Sequence, residues 1–249
     1  MIRAAFRLLA ICATLATPGV ALAKRPVVVE LFTAQGCSSC GAANAALARL
    51  ADRPGVVALT FSVDYWDYLG WKDTFARPEF TDRQRAYDER FDNRDVYTPQ
   101  VVVDGDAQAS GGKTAAIEDL VRQARRTRLD PPDMKFREDG RIGVGSGLRP
   151  KGGAEVWLIR YDPRAQDVEV KDGDNRGKTV PHKNVVRQLI RLGPWSGRPA
   201  LYKLPAPSEE DLDSVILLQG AKGGKVLGVL EAPASEVPAP RGHDPNSQN

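Results

Sequence analysis

The sequence predicts an α/β domain followed by a mainly β region. Three observations lead there. A β-branched run, Val27 to Phe32, gives way to apolar residues at helical spacing just after Cys37-Ser38-Ser39-Cys40. The same change from strand to helix pattern recurs as far as Arg126. Beyond Asp130-Pro131-Pro132 the pattern becomes short alternating strands broken by glycine-rich turns.

The elements follow in order. Val27 to Phe32 reads as a buried strand, and Thr33 to Gly36 as the turn leading to the cysteines. Ala42, Ala46, Leu47 and Leu50 mark one face of a helix that Pro54-Gly55 ends. Val56 to Val63 is a second strand, followed by an aromatic stretch, Asp64 to Trp71. Pro78 to Phe91 is polar and charged with helical character. Thr98-Pro99 leads into a short strand, Gln100 to Val103, and Asp104-Gly105 signals a hairpin. Lys113 to Arg126 is an amphipathic helix with Ile117, Leu120 and Val121 inward. In the β region, Ala154 to Tyr161, Val168 to Val170, Val215 to Gln219 and Val226 to Leu230 read as strands of a sandwich-like sheet, with turns at Gly143, Gly145 and Gly147. The expected organisation is a leader over 1–23, an α/β domain over 24–130, a mainly β region over 131–232 and a disordered tail over 233–249 rich in Pro, Ser and polar residues.

The leader carries Arg3 and Arg7, an apolar stretch from Leu8 to Leu15, and Ala21-Leu22-Ala23 as a small-residue cleavage site. This is the layout of a secretory signal peptide. A membrane anchor fits less well, because Pro18 and Gly19 interrupt a run already shorter than the ~20 apolar residues a span needs. A lipid anchor at Cys12 is disfavoured by bulky Ile11. Export to the periplasm or the medium is therefore expected, with no stable membrane anchor. Cleavage removes two arginines and no acid from a chain of formal charge +3, leaving it nearly neutral. Lys and Arg are scattered and form no basic stripe, which argues against nucleic acid as a partner. Of three cysteines, Cys37 and Cys40 remain after cleavage, in a compartment where disulfides persist.

Cys37-x-x-Cys40 falls where a strand becomes a helix. Unpaired N–H groups and the helix dipole at that point favour an anion. A Cys37 thiolate gains from this, and the thiolate is the nucleophile of disulfide exchange. Cys40 lies nearly one turn on, placed to resolve a mixed disulfide at Cys37, and the Ser38 and Ser39 hydroxyls can reach the sulfur. The alternatives are a structural disulfide, which gains little entropy from so small a loop, and half of a zinc site. Zinc needs two further ligands, and the two histidines, His182 and His243, are far apart. The redox reading requires no metal or organic cofactor.

Strand, Cys-x-x-Cys, helix, then Thr98-Pro99 before a strand and hairpin resembles the thioredoxin fold. The resemblance implies that Pro99 is cis and packs opposite the cysteines, and that the backbone beside it, at Thr98, holds the substrate chain. Thr98-Pro99 alone would read as an ordinary trans turn. A closer resemblance covers most of the chain. Val29-Glu30-Leu31-Phe32-Thr33 to Cys40, Tyr65 to Asp73, Arg83-Gln84, Gly173 to Gly177 and Asn184-Val185-Val186 are similar to a secreted bacterial thioredoxin-like family, the domain of unknown function 1223. Gly41 departs from the proline that usually follows the second cysteine, which implies a weaker helix start.

Other residues have two readings each. Glu30, in the first strand, is either a buried carboxylate that accepts the Cys40 proton, as the thioredoxin resemblance implies, or a strand-end acid reaching solvent. Tyr65, Trp66, Tyr68 and Trp71 either wall a substrate site beside the disulfide or cover the core, the second reading being slightly favoured. Asp67 and Asp73 read as caps or surface charges, Gly173 to Gly177 as a turn, and His182 as a lone loop or surface histidine. The functional expectation is an exported thiol–disulfide oxidoreductase acting on protein or small-molecule thiols and disulfides. The alternative is a binding protein of the same fold with the cysteines as an inert clasp. Copper delivery is a weaker reading, since Met134 is the one methionine outside the leader.

Overall fold

The computed structural model describes residues 25–127, 130–232 and 235. The leader, residues 1–23, and nearly all of the tail expected over 233–249 lie outside them. Strand β1 (Val27–Thr33), helix α1 (Gly41–Ala51) and strand β2 (Val56–Ser62) form a βαβ unit, with β1 and β2 parallel from Val27↔Val56 to Thr33↔Ser62. Every residue of both strands is buried, as their unbroken apolar runs require of strands covered on both faces. Helix α2 (Pro78–Phe91) begins on Pro78, whose missing N–H costs nothing in a first turn. After it, β3 (Gln100–Val103) runs antiparallel to β1, turns through Asp104-Gly105, and pairs with β4 (Ala107–Ser110). Helix α3 (Thr114–Arg126) completes this half.

The longest strands of the second half do not form a separate sandwich, and here the sandwich-like expectation needs correction. Strands β7 (Ala154–Asp162), β10 (Val185–Trp195), β12 (Asp213–Gly220) and β13 (Val226–Ala232) extend the first sheet. The result is eight strands in the order β13-β12-β7-β10-β2-β1-β3-β4. The junction is narrow. β10 runs parallel to β2 through Val185↔Thr60. Thr60 donates its N–H to Asn184 O (2.9 Å) and its hydroxyl to Lys183 O (2.7 Å). Asn184, held at φ 52°, returns its side-chain amide to Ala58 O (2.8 Å). Asparagine tolerates that left-handed conformation better than most residues. The open edge of β2 explains the merger: a parallel strand buried on both faces leaves a row of backbone groups that another strand must satisfy. Strand β12 is likewise buried from Ser214 to Gly220, the mark of a central strand.

A second layer exists only in part. β5 (Met134–Phe136), β6 (Arg141–Val144) and β11 (Ala200–Lys203) form a three-stranded sheet whose Ile142, Val144 and Tyr202 pack with Val156, Leu158, Ile216, Leu218 and Trp195. On the main sheet, α1 and α3 cover Val27, Val29, Leu31, Val101 and Val103. On the opposite face, Phe80 and Tyr87 of α2 meet Val28, Phe32, Phe61, Ile159 and Leu217. Two further strands, β8 (Gln166–Glu169) and β9 (Thr179–His182), pair only with each other. Among the described residues, no helix is long and apolar enough to cross a membrane.

Candidate functional site

Strand β1 ends at Thr33, and Ala34, Gln35 and Gly36 carry the chain from its end to the cysteines. Cys37 N–H donates to Ala34 O (3.1 Å) and Cys40 N–H to Cys37 O (3.2 Å), which winds the loop into α1 with Cys40 as its N-cap. The helix starts on Gly41 despite that residue's poor propensity. Cys37 and Cys40 are joined as a disulfide. Ser39 Oγ stands 3.5 Å from Cys37 Sγ, as expected of a hydroxyl able to reach the sulfur. Both cysteines are 0% exposed, although Ser38 and Ser39 between them face solvent. The sequence gives no hint of this enclosure.

Pro99 is cis, and it comes close to α1. Gly111 marks the meeting point: a Cβ there would lie 2.7 Å from both Ala43 and Pro99, so no larger residue fits, and Gly111 N–H donates to Pro99 O (2.8 Å). Thr98 Oγ1 and the Tyr65 hydroxyl are buried together beside Gln84. Burial raises the Tyr65 pKa, so its hydroxyl stays protonated. Trp66 packs on the cluster that contains both cysteines, close to Gly36. Trp71 donates its indole N–H to Gln35 Oε1 (2.9 Å). The aromatic stretch thus lies against the cysteine loop, half-buried, while Tyr68 points outward at 81% exposure.

Glu30 is buried, as the first of its two readings has it, and is not a strand-end acid reaching solvent. Both carboxylate oxygens are taken: Oε2 by Arg83 Nε (2.5 Å), Oε1 by the second Arg83 nitrogen (2.9 Å) and by the Tyr87 hydroxyl (2.7 Å). Arg83 also reaches Gln219 Oε1 (3.2 Å). A carboxylate held this way is the anion of a buried ion pair, tied to α2 and β12.

Asp73, Gln35 and Asn175 hold the cysteine loop, a role that none of them shows in the sequence. Asp73, taken for a cap or surface charge, is buried, and its Oδ2 accepts the Gln35 N–H (2.6 Å) while Oδ1 accepts from Phe75 (2.9 Å) and Ala76 (3.2 Å). Burial outweighs these donors and pushes its carboxyl up from 3.8 to about 6, with the Asp67 charge adding to the rise. Gln35 bridges to Thr74 as well as Trp71. Asn175, inside the segment read as a plain turn, is buried and donates to both Gln35 O (2.8 Å) and Cys37 O (2.9 Å). The available signal was Gly-x-Asn-x-Gly: Gly173 and Gly177, at φ 70° and 75°, bend the chain so that the asparagine points inward.

His182 also departs from expectation, being buried and edge-on to Phe75, whose ring carries the Arg187 guanidinium 4.5 Å from its centroid. Nδ1 faces Val180 O (3.0 Å), which can only accept, so Nδ1 carries the proton and Nε2 is left without a partner. Burial lowers its pKa from 6.5 to about 4. The unfolded chain therefore binds the extra proton first, and this contribution to stability is lost as pH falls from 6.5 to 4. His182→Phe is expected to remove about 3 kcal/mol of that acid sensitivity. Thermal melts of both proteins across this range check it; parallel curves would refute the assignment. Among the described residues, no group of three or more His, Cys, Asp or Glu side chains could hold a metal ion.

The family described as Protein of unknown function (DUF1223) matches residues 28–219, which span the cysteine loop, Asp73, Arg83 and Asn175. The chain belongs to the DUF1223 family. This DUF1223 chain is similar to the crystal structure of protein AGR_C_4864 from Agrobacterium tumefaciens, at 32% identity and a TM-score of 0.69, covering 87% of this chain and 97% of that one. It also resembles HBP35 of Porphyromonas gingivalis, with a TM-score of 0.60 over 86% of this chain and 76% of the other; at 13% identity this is a likeness of fold alone. No curated protein matches the DUF1223 chain.

Proposed function

We propose that the protein is an exported thiol–disulfide oxidoreductase whose first half is thioredoxin-like and whose reactive pair is Cys37 and Cys40. The observation that carries this reading is a two-residue-spaced disulfide at the start of α1, with a cis-proline loop docked on the same helix turn. In the reduced protein, the Cys37 thiolate attacks a partner disulfide. A Cys37–partner bond forms, the partner S–S bond breaks, and one partner thiolate leaves. Cys40, once deprotonated, attacks Cys37 Sγ, closes the internal disulfide and releases the second partner thiolate. The partner is reduced by two electrons and the protein oxidised by two. Run backwards, the same steps oxidise a partner dithiol. The exchange needs only sulfur and protons, and the pairing of Glu30 with Arg83 disfavours that carboxylate as its base. Partners are protein or small-molecule thiols and disulfides.

One observation favours a second reading. The complete burial of both sulfurs suits a binding protein with an inert clasp. A redox titration against glutathione separates the two, since a structural clasp resists reduction by that pool. Cys37→Ser is expected to lower disulfide reduction or oxidation at least a hundredfold in an assay with a model disulfide substrate. Unchanged activity would remove the oxidoreductase assignment.

A further inference from the structure

The hairpin formed by β8 and β9 joins neither of the larger sheets, yet its connecting segment lies on the cysteine loop. An isolated two-stranded hairpin is marginal by itself, so this one depends on how it is docked. The docking contacts are few and can be named. Asn175 donates to Gln35 O and Cys37 O. On the far side, Asn44 of α1 donates to Pro181 O (3.0 Å), and Arg187 of β10 donates to Gln166 Oε1 (2.9 Å). Val170 and Val180 supply its buried apolar contact, and the buried His182 at the end of β9 packs edge-on against Phe75. The segment also interlocks with the aromatic stretch, since a Cβ at Gly173 would lie 3.5 Å from Leu69 O and one at Gly70 3.1 Å from Asp172 Oδ2. The loop that Asn175 holds carries a disulfide with no exposure at all.

We propose that the β8–β9 hairpin is a cover over the Cys37–Cys40 disulfide, latched by Asn175, and that the sulfurs exchange only while the hairpin is lifted. Asn175 is a positioning residue in this scheme and touches no sulfur. Its amide fixes two carbonyls of the cysteine loop from a strand pair far away in sequence, so releasing it frees the loop and the cover together. The cover controls access whether the pair is catalytic or a clasp, and it makes exchange depend on whatever lifts the hairpin.

The test uses the purified oxidised protein and the phosphine TCEP. The phosphine attacks one sulfur and breaks the S–S bond. Water then supplies the oxygen of the phosphine oxide, and two thiols remain, which are counted by alkylation and intact mass. Asn175→Ala is expected to be reduced about tenfold faster than the unmodified protein at equal phosphine, equivalent to about 1.4 kcal/mol of easier opening. Asn44→Ala, which loosens the opposite side of the hairpin, should also be faster and covers the case in which the first variant does not fold. Arg53→Ala, which breaks the solvent-facing Arg53–Glu118 pair, should leave the rate unchanged. Rates for both asparagine variants within twofold of the parent would overturn the proposal. So would equal acceleration by Arg53→Ala, because reduction would then follow general loosening. Loss of the oxidoreductase assignment, read from Cys37→Ser, leaves these rates as they are, so the two failures are distinguishable.

Discussion

Arg83→Met is expected to lower the thermal unfolding midpoint by roughly 10 °C. The guanidinium is the sole cation on Glu30 among the described contacts, and both groups are out of solvent. Removing one member of such a pair leaves a bare charge in the interior, which costs about 3–5 kcal/mol. In a chain of this length, each kcal/mol moves the midpoint by about 2–4 °C. Adding Glu30→Gln to the same chain is expected to recover much of the loss, because a neutral amide can accept from Tyr87 without an uncompensated charge. Calorimetry at pH 7 on the single and double variants decides the matter. A midpoint within about 2 °C of the parent for Arg83→Met would mean that the pair contributes little.

Asp73→Asn should produce the second large effect, one with a characteristic dependence on pH. The carboxylate receives three backbone N–H donors, and an amide must turn its own NH2 toward one of them. A buried donor left unsatisfied costs about 1–3 kcal/mol. The sign of the pH term follows from the raised pKa. Between pH 4 and 6 the folded protein holds a proton on Asp73 that the unfolded chain has lost, so stability falls as pH rises through that window. The variant lacks this fall. The gap between parent and variant should therefore be widest near pH 4 and narrow by about 3 kcal/mol toward pH 6.5. Denaturant midpoints at four or five pH values would measure it, and a gap independent of pH would contradict the assigned burial. The His182 contribution runs the other way over nearly the same interval, so the parent's own curve should look flatter than either variant's.

The first half was legible because its information is local. The runs Val27–Phe32 and Val56–Val63, the proline opening α2 and the Asp104-Gly105 turn each specify their own element within a few residues. The cis peptide at Thr98-Pro99 agrees with what the thioredoxin resemblance implied. What was missed depends on partners far apart in sequence. Helix α2 buries Phe80, Thr81, Arg83, Gln84, Tyr87 and Asp88, an inward face that looks outward in composition because four of its members are polar. Their partners include Glu30, Gln100 and Gln219, from three different strands. Asn184 and its neighbours were noticed as a motif, but nothing nearby indicates that they join β10 to the edge of β2. His182 and Asn175 look like loop residues for the same reason: their burial comes from α1, the cysteine loop and Phe75, none of which is close in the chain.

Asn175 lies 138 residues beyond Cys37, with every element from α1 to β8 between them. Read in the order of synthesis, that distance is a delay. Both thiols emerge early on the nascent polypeptide and stay within reach of any oxidant or reductant until the far hairpin has been made and folded back. The proposed cover can therefore act only on the completed molecule, and never on the chain while it is being made.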